Sequence, residues 1–433
     1  MRRQIQDFVS GAKIIEKNAK RVKLFTIRPT CVMSCRASHD YSAQGPAFNI
    51  PLPMEILPYT DRHHRFRKRL QGFLQSNVVP NIDQWEADRA VPKDIWRKMG
   101  KEGFLCTWAS PIYGGQGCDF LYSVIGCEEL FKINQAGLTA YVHSDIIVPY
   151  IDTYGSRELK ARYLPACVSG DLVTAIAMTE PDAGSDLSGI TTSAVEDGHE
   201  VVISGAKTFI SNGIFSDLVL VAARDPAVPN PYEALSLYLV ESGTPGFTRG
   251  RQLRKMGAHS QDTAELFFAD CRIPRANQVG PKGQGFMMLM EQLQQERLLI
   301  ALGAVAIAEY MLAEITRICR TTLVNDRALS RSQAVQFYLV EMATDVKLGR
   351  TFIDKLIADH MEHRPIIAET SMAKYWTTDM AKRIADRCLD LLGPEGMLAS
   401  RPLVRTWRDV RVMSIFAGTN EIMKGIAAKF MHL

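Results

Sequence analysis

No long hydrophobic run occurs in this sequence of 433 residues. The longest, Leu298 to Ala308, has eleven residues, about half of what spans a bilayer as a helix, so no transmembrane helix is expected. Nor is there an excess of one charge: 51 Lys+Arg against 47 Asp+Glu leave a net +4. The first 40 residues hold nine Lys/Arg and three Asp/Glu, so the remainder is close to neutral and nothing in its charge points to nucleic acid. Cysteine is sparse and odd in number: nine are scattered along the chain, which excludes a disulfide framework and suits reduced thiols. Cys31 and Cys35 form the closest pair, without the second Cys or His pair that a zinc site needs. No Ser/His/Asp or Cys/His constellation assembles. His63 and His64 lie beside Arg62 and Arg65, and His360 and His363 sit in a polar helical stretch; both pairs read as solvated faces.

What is present is an ordinary globular composition, 46% apolar and 23% charged, long enough for roughly three lobes at about 150 residues each. Residues 1–58 stand apart. They are basic and poor in acids, with five prolines between Pro29 and Pro58. They read as a transit-like leader, as a disordered arm, or as sequence upstream of a true start at Met54. From Thr60 the pattern is helical: Phe66, Leu70, Phe73 and Leu74 share one face, and Pro92 opens a second helix through Ile95 and Met99. Tyr113–Gly117 is a turn, followed by helices through Leu121–Phe131 and Glu158–Val168.

Between about 172 and 280 the texture changes to short β-type runs. Examples are Leu172–Met178, Glu200–Ile203, Leu218–Ala222, Leu235–Val240 and Ala264–Phe268, separated by turn residues. After Gly285 long helices return, with stripes at Val335, Leu339, Met342, Val346, Ile353 and Leu356, and at Met372, Trp376, Ile384, Cys388 and Leu391. Helices, then strands, then helices give domains expected at 59–171, 172–282 and 283–433.

Several segments have chemical potential. Ala177–Asp186 leaves a strand in a loop of small and hydroxyl residues, suited either to a plain β-turn or to cradling a polar ring edge or phosphate. Lys207–Gly213 places Phe209 and Ser211 two apart, which puts an aromatic and a hydroxyl on one strand face and suits a planar ligand. Gly280–Gly285 lacks the GK[ST] of a phosphate loop and reads as a helix lead-in. Glu296 is a carboxylate in an otherwise apolar helix, read either as a partner of Arg297 or as a base. Glu291 lies about 140° further round that helix, so the two do not form an acid/base pair. The residues alone leave the function open.

Taken together, these motifs resemble the acyl-CoA dehydrogenase family from about Pro58 to the C-terminus. The similarity runs through Tyr154-Gly-Ser…Tyr163-Leu-Pro, Thr179–Asp186, Lys207–Gly213, Lys255-Met-Gly…Gln261–Phe268 and Gln295–Ala301. It continues through Met372–Trp376, Arg408–Val412 and Phe416–Ile422. The closest motifs are those of the long-chain type. The resemblance implies an α+β fold: an N-terminal helical domain, a middle β-barrel-like domain and a C-terminal four-helix bundle. It also implies FAD, a homotetramer, an electron-transfer flavoprotein as acceptor, and α,β-dehydrogenation of an acyl-CoA thioester. The expected compartment is the cytoplasm in a bacterium, or the mitochondrial matrix if the basic N-terminus is a transit peptide.

By the same resemblance the catalytic base has two possible positions. One, before the Gly-Thr of the C-terminal motif, holds Ala417; the other, on the bundle helix before an Arg, holds Glu296, which is therefore the expected base. The Ala417 backbone N–H is expected to serve the oxyanion. Met178, Thr179 and Ser211 are expected at the flavin with Phe209 packed near it, Ser185 near flavin and CoA, and Gln294 and Arg297 near the acyl-CoA. Gly418, Thr419 and Glu421 are expected to line the cofactor, and Gln333 and Gly393 mark elements that reach a neighbouring subunit's FAD. Those elements depart from the family pattern at Thr322, Asn325, Asp326, Asp390 and Pro394. Arg320, Arg327 or Arg331 compensate, or a partner chain supplies the contacts. The competing readings are a non-catalytic assembly subunit with impaired FAD binding, and an acyl-CoA oxidase.

Overall fold

The computed structural model describes residues 56–433; the leader readings and the Cys31/Cys35 pair lie outside them. The chain starts with helices α1 (Asp61–Asn77), α2 (Ile82–Asp88), α3 (Lys93–Lys101) and α4 (Phe120–Lys132). A π-helical turn at Val142–Ile147 runs straight into α5 (Val148–Tyr154), and α6 (Arg157–Ser169) follows. Side-chain caps set the starts of two of these helices: Asp119 accepts from Leu121 N–H at 3.0 Å, and Ser156 from Leu159 N–H at 3.2 Å. The stripe read from the sequence is buried at Phe66, Leu70 and Leu74, against Ile95, Trp96 and Met99 of α3.

His63 corrects one expectation. It lies three residues before Phe66 on the same stripe and is buried. Its Nδ1 accepts the Thr60 N–H at 3.0 Å, which leaves Nε2 to donate to Asp119 at 3.1 Å. The neighbouring arginines point elsewhere round the helix, so adjacency in sequence misjudged the face. His360 is also no solvated residue: its ring packs 4.6 Å from that of Phe120.

Eight strands form one sheet in the order β6-β7-β3-β2-β4-β5-β8, with β1 parallel to β4. They are β1 (Thr174–Ala177), β2 (Ser193–Asp197), β3 (Glu200–Ser211), β4 (Leu218–Arg224), β5 (Leu235–Glu241), β6 (Phe247–Gln252), β7 (Thr263–Pro274) and β8 (Gln278–Val279). Val219 and Val221 of β4, Tyr238 and Val240 of β5, and Phe247, Leu266 and Phe268 near the other edge share one core. Strands from both ends of the path meet there, so the sheet curls around it. Leu218, Leu220 and Ala222, with Leu235, Leu237 and Leu239, face the opposite way into the helical core. Burial on both faces is why β4 and β5 read as unbroken apolar runs rather than as alternating strands.

The C-terminal part comprises α7 (Gly285–Thr321), α8 (Gln333–Met361), α9 (Ile367–Leu392), α10 (Pro402–Val410) and α11 (Asn420–Phe430). By length and hydropathy alone α7 qualifies as a membrane span, but 78% of its most apolar window is buried inside the protein, so it is a core helix. Between α7 and α8, Leu323–Val324 pairs with Arg327–Ala328 across Asn325 and Asp326, at φ 50° and 60°. Two successive left-handed residues make a tight hairpin turn, and Asn and Asp tolerate that conformation. The departure from the family pattern at this point thus builds a turn. The seven cysteines among the described residues are all free.

Candidate active site

Helix α7 carries Glu296 with 4% of its surface exposed. The Tyr150 hydroxyl, on α5, donates to its Oε1 at 2.9 Å. Burial pushes the Glu296 carboxyl up to about 7; the Tyr150 hydrogen bond and the Arg297 charge oppose that rise without cancelling it. A carboxylate poised near neutrality is what a general base needs. Glu291, on another face of α7, is exposed and accepts from the Tyr154 hydroxyl at 2.6 Å. The separation of the two carboxylates expected from helix geometry therefore holds, and each has its own tyrosine from α5.

Two buried polar atoms on the same helix have no protein partner. Arg297 Nε and Gln294 Oε1 are both buried without a hydrogen bond, a costly state unless a ligand or water satisfies them. Arg297 is also close enough to Lys374 of α9 to add to the burial that holds the Lys374 ammonium down to about 8. Lys374 donates to the Gly418 carbonyl at 2.6 Å and to Asn420 Oδ1 at 3.3 Å. It thereby ties the loop Phe416–Thr419 to the helix beside the base. In that loop Ala417 and Gly418 both hold positive φ, 53° and 88°. Among the described residues no acceptor meets their N–H groups, and two free successive donors suit an oxyanion.

A second group of the expected site residues is held together on the sheet. The Lys207 ammonium crosses from β3 to the loop after β1, donating to Glu180 at 2.8 Å and to the Met178 carbonyl at 3.0 Å. Thr208 N–H bonds to the Thr179 carbonyl at 2.9 Å, so Met178 and Thr179 are clamped against β3. A register shift between Lys207 and Ile210 interrupts β3, and Phe209 sits within it at φ 57° with 67% of its surface exposed. The bulge breaks the regular alternation, so the shared face expected for Phe209 and Ser211 does not follow from spacing. Ser211 accepts from Gln261 Nε2 at 3.2 Å.

An exposed aromatic, orphaned buried polar atoms and free N–H groups are features that a flat, polar-edged cofactor and an acyl thioester can satisfy. Thr419 caps α11, its hydroxyl accepting the Ile422 N–H at 3.2 Å. Ser185, Glu421, Gln333 and Gly393 are exposed, Gln333 opening α8 and Gly393 closing α9. Sequence reasoning missed Tyr150, which no short motif links to Glu296. It also missed the buried face of α9, where Lys374, Thr377 and Thr378 lie fully buried among apolar residues. Lys374 lies within the motif Met372–Trp376, but no role for it follows from the sequence.

The three-part fold and this acid-centred site are those of an acyl-thioester oxidoreductase. Three family models match in order: acyl-CoA dehydrogenase N-terminal domain at residues 60–171, middle domain at 175–271 and C-terminal domain at 283–432. The chain is 39% identical over 372 residues to the mitochondrial long-chain specific acyl-CoA dehydrogenase of Rattus norvegicus, covering 86% of each. An acyl-CoA dehydrogenase structure from Geobacillus kaustophilus superimposes with a TM-score of 0.86 at 47% identity, over 87% of this chain and 99% of that one. A glutaryl-CoA dehydrogenase from Mycobacterium smegmatis, solved with FADH2, shares the fold at TM-score 0.80 and 24% identity, over 86% and 95% of the two chains. The chain belongs to the acyl-CoA dehydrogenase family, flavoprotein oxidoreductases that act on acyl-CoA.

Proposed function

We propose that this chain oxidises an acyl-CoA thioester to the trans-2-enoyl-CoA, with Glu296 removing the α-proton. The observation that carries the reading is the buried Glu296 carboxyl, bonded to Tyr150, held at about 7 and next to an Arg297 whose Nε has no partner. The α C–H bond gives its proton to the Glu296 carboxylate and its electron pair forms the Cα=Cβ bond as the β-hydrogen departs with its own pair as hydride. FAD, when bound, supplies the hydride acceptor. Ala417 N–H receives the charge that develops on the thioester oxygen, while Gln294 and Arg297 face the acyl-CoA. Met178, Thr179, Phe209 and Ser211 hold the ring system, Ser185 lies near flavin and CoA, and Gly418, Thr419 and Glu421 line the cofactor. Gln333 and Gly393 face a neighbouring subunit of a homotetramer, and an electron-transfer flavoprotein takes the electrons. The three domains are 59–171, 172–282 and 283–433.

Glu296→Gln tests the reading. It should retain flavin and acyl-CoA binding and lose about 10²–10⁴-fold in turnover; near-native turnover overturns the assignment. A second reading, a non-catalytic assembly subunit, is favoured by Thr322, Asp390 and Pro394 at positions where the resemblance implies contacts to FAD. The visible spectrum of the chain purified alone separates the two. One flavin per subunit supports the enzyme, and a protein that stays colourless after adding FAD supports the assembly subunit.

A further inference from the structure

We propose that Tyr150 is a positioning residue for the base: its hydroxyl holds one oxygen of Glu296 so that the other is presented for the α-proton. The inference rests on the reading of Glu296 as that base. Tyr150 is fully buried, and its hydroxyl donates to Oε1 at 2.9 Å. Among the described residues no donor reaches Oε2. A carboxylate with one oxygen engaged and one free has a defined direction of attack, whereas a carboxylate free at both oxygens rotates among several.

The tyrosine is itself held in register. The segment from the π-helical turn through α5 is laced to α7 along its length. Gln295 Nε2 donates to the Asp145 carbonyl at 2.8 Å, and Tyr154 donates to Glu291 at 2.6 Å. π-Helical turns are uncommon and occur often at functional sites. Here the turn leads directly into the helix whose first turn meets the base. Because the lacing runs on both sides of Tyr150, removing its hydroxyl alone leaves the segment anchored.

The charged and titratable groups around Glu296 give the sign of the effect. On α7 these are Arg297, one residue away, and Glu291, which is turned to Tyr154. On α5 they are Tyr150 and Tyr154; Asp145 lies in the preceding turn, and Lys374 of α9 adjoins Arg297. Tyr150 and Arg297 are the groups that favour the ionised carboxylate against burial. Without the Tyr150 hydroxyl, burial is opposed by Arg297 alone, and Glu296 stays protonated to higher pH.

The experiment is Tyr150→Phe in the flavin-loaded enzyme, read in two ways. Carboxyl infrared difference spectra against pH follow Glu296 directly, its band being the one absent from Glu296→Gln. The pH profile of kcat/KM follows its use. Both midpoints should move up by about one unit, since a hydrogen bond to a charged group is worth about that much. The loss of kcat/KM, about tenfold in acid and about fivefold at pH 7, should shrink further as the pH rises. A Glu296 band that titrates at the same pH in both proteins overturns the inference, whether or not activity falls, because a purely structural role lowers the whole profile without moving it. Native turnover by Glu296→Gln overturns the underlying reading instead, so the two failures are distinct. Should Tyr150→Phe not fold, 3-fluorotyrosine at position 150 strengthens the donor and must move both midpoints down; unmoved midpoints overturn the proposal.

Discussion

The Lys207 ammonium meets the Glu180 carboxylate at 2.8 Å with both side chains almost wholly out of solvent. This pair joins β3 to the Thr179–Asp186 loop, two segments that the sequence separates and the site needs side by side. Burial alone would raise the Glu180 carboxyl. The Lys207 charge outweighs it, with hydrogen bonds from Lys207, Thr192 and Thr191, and holds Glu180 down to about 2.

Lys207→Met should therefore leave a buried, uncompensated carboxylate and destabilise the protein by about 3–5 kcal/mol, with flavin lost in parallel. The pair's contribution is present above the unfolded carboxyl value and is lost as pH falls from about 4.5 to about 2. Denaturant unfolding of the wild type and the variant across that range checks both statements. Equal stability at pH 6 would remove the pair from the account of the loop.

Glu296 should show the opposite linkage. Its folded value is raised, so its contribution is present below about 4.5 and is lost as pH rises through about 7. Glu296→Gln should consequently be more stable than the wild type at pH 8, by roughly 3 kcal/mol at most, and little different at pH 4. Thermal unfolding at the two pH values measures this independently of turnover.

Lys374→Met removes the donor that holds the Gly418 carbonyl. It should cost about 1–3 kcal/mol of stability and lower kcat more than it weakens acyl-CoA binding, because the Ala417–Gly418 donors lose their fixed direction. Single-turnover flavin reduction, compared with a binding titration, separates the two effects. Equal losses in both would point to a general loosening of the bundle.

Phe209 occupies left-handed backbone at 67% exposure. Phe209→Gly should relieve about 1 kcal/mol of strain and stabilise the flavin-free chain; if Phe209 packs on the flavin as proposed, the same change weakens flavin retention. Melting of the stripped protein and flavin release on dilution give the two readouts. A variant that keeps its flavin as tightly as the wild type would place Phe209 outside the cofactor site.

The order of helices, strands and helices was legible in the residues themselves, because periodicities of 3.6 and 2 are local properties of the chain. So were α4 and α6, close to their observed limits, and five of the strands. The missed strands β2, β6 and β8 are short or polar, Ser193–Asp197, Phe247–Gln252 and Gln278–Val279, and carry weak alternation. Glu296 was reachable because the alternative position holds Ala417. The rest needed the fold: His63 looked solvent-facing beside its arginines and Lys374 carried no reading of its own, yet both are buried where a partner meets them.

What the sequence alone determined was the layout of helices and strands; with the family resemblance it also singled out Glu296 as the acid to propose. Tertiary structure decided the acid's environment: a tyrosine 146 residues away in the chain directs one carboxylate oxygen, and burial by α5 and α9 raises the group toward neutrality. Local pattern records which face of an element is apolar. It does not record which distant polar group comes to meet the exceptions on that face, since that depends on packing between elements and not on the spacing within one.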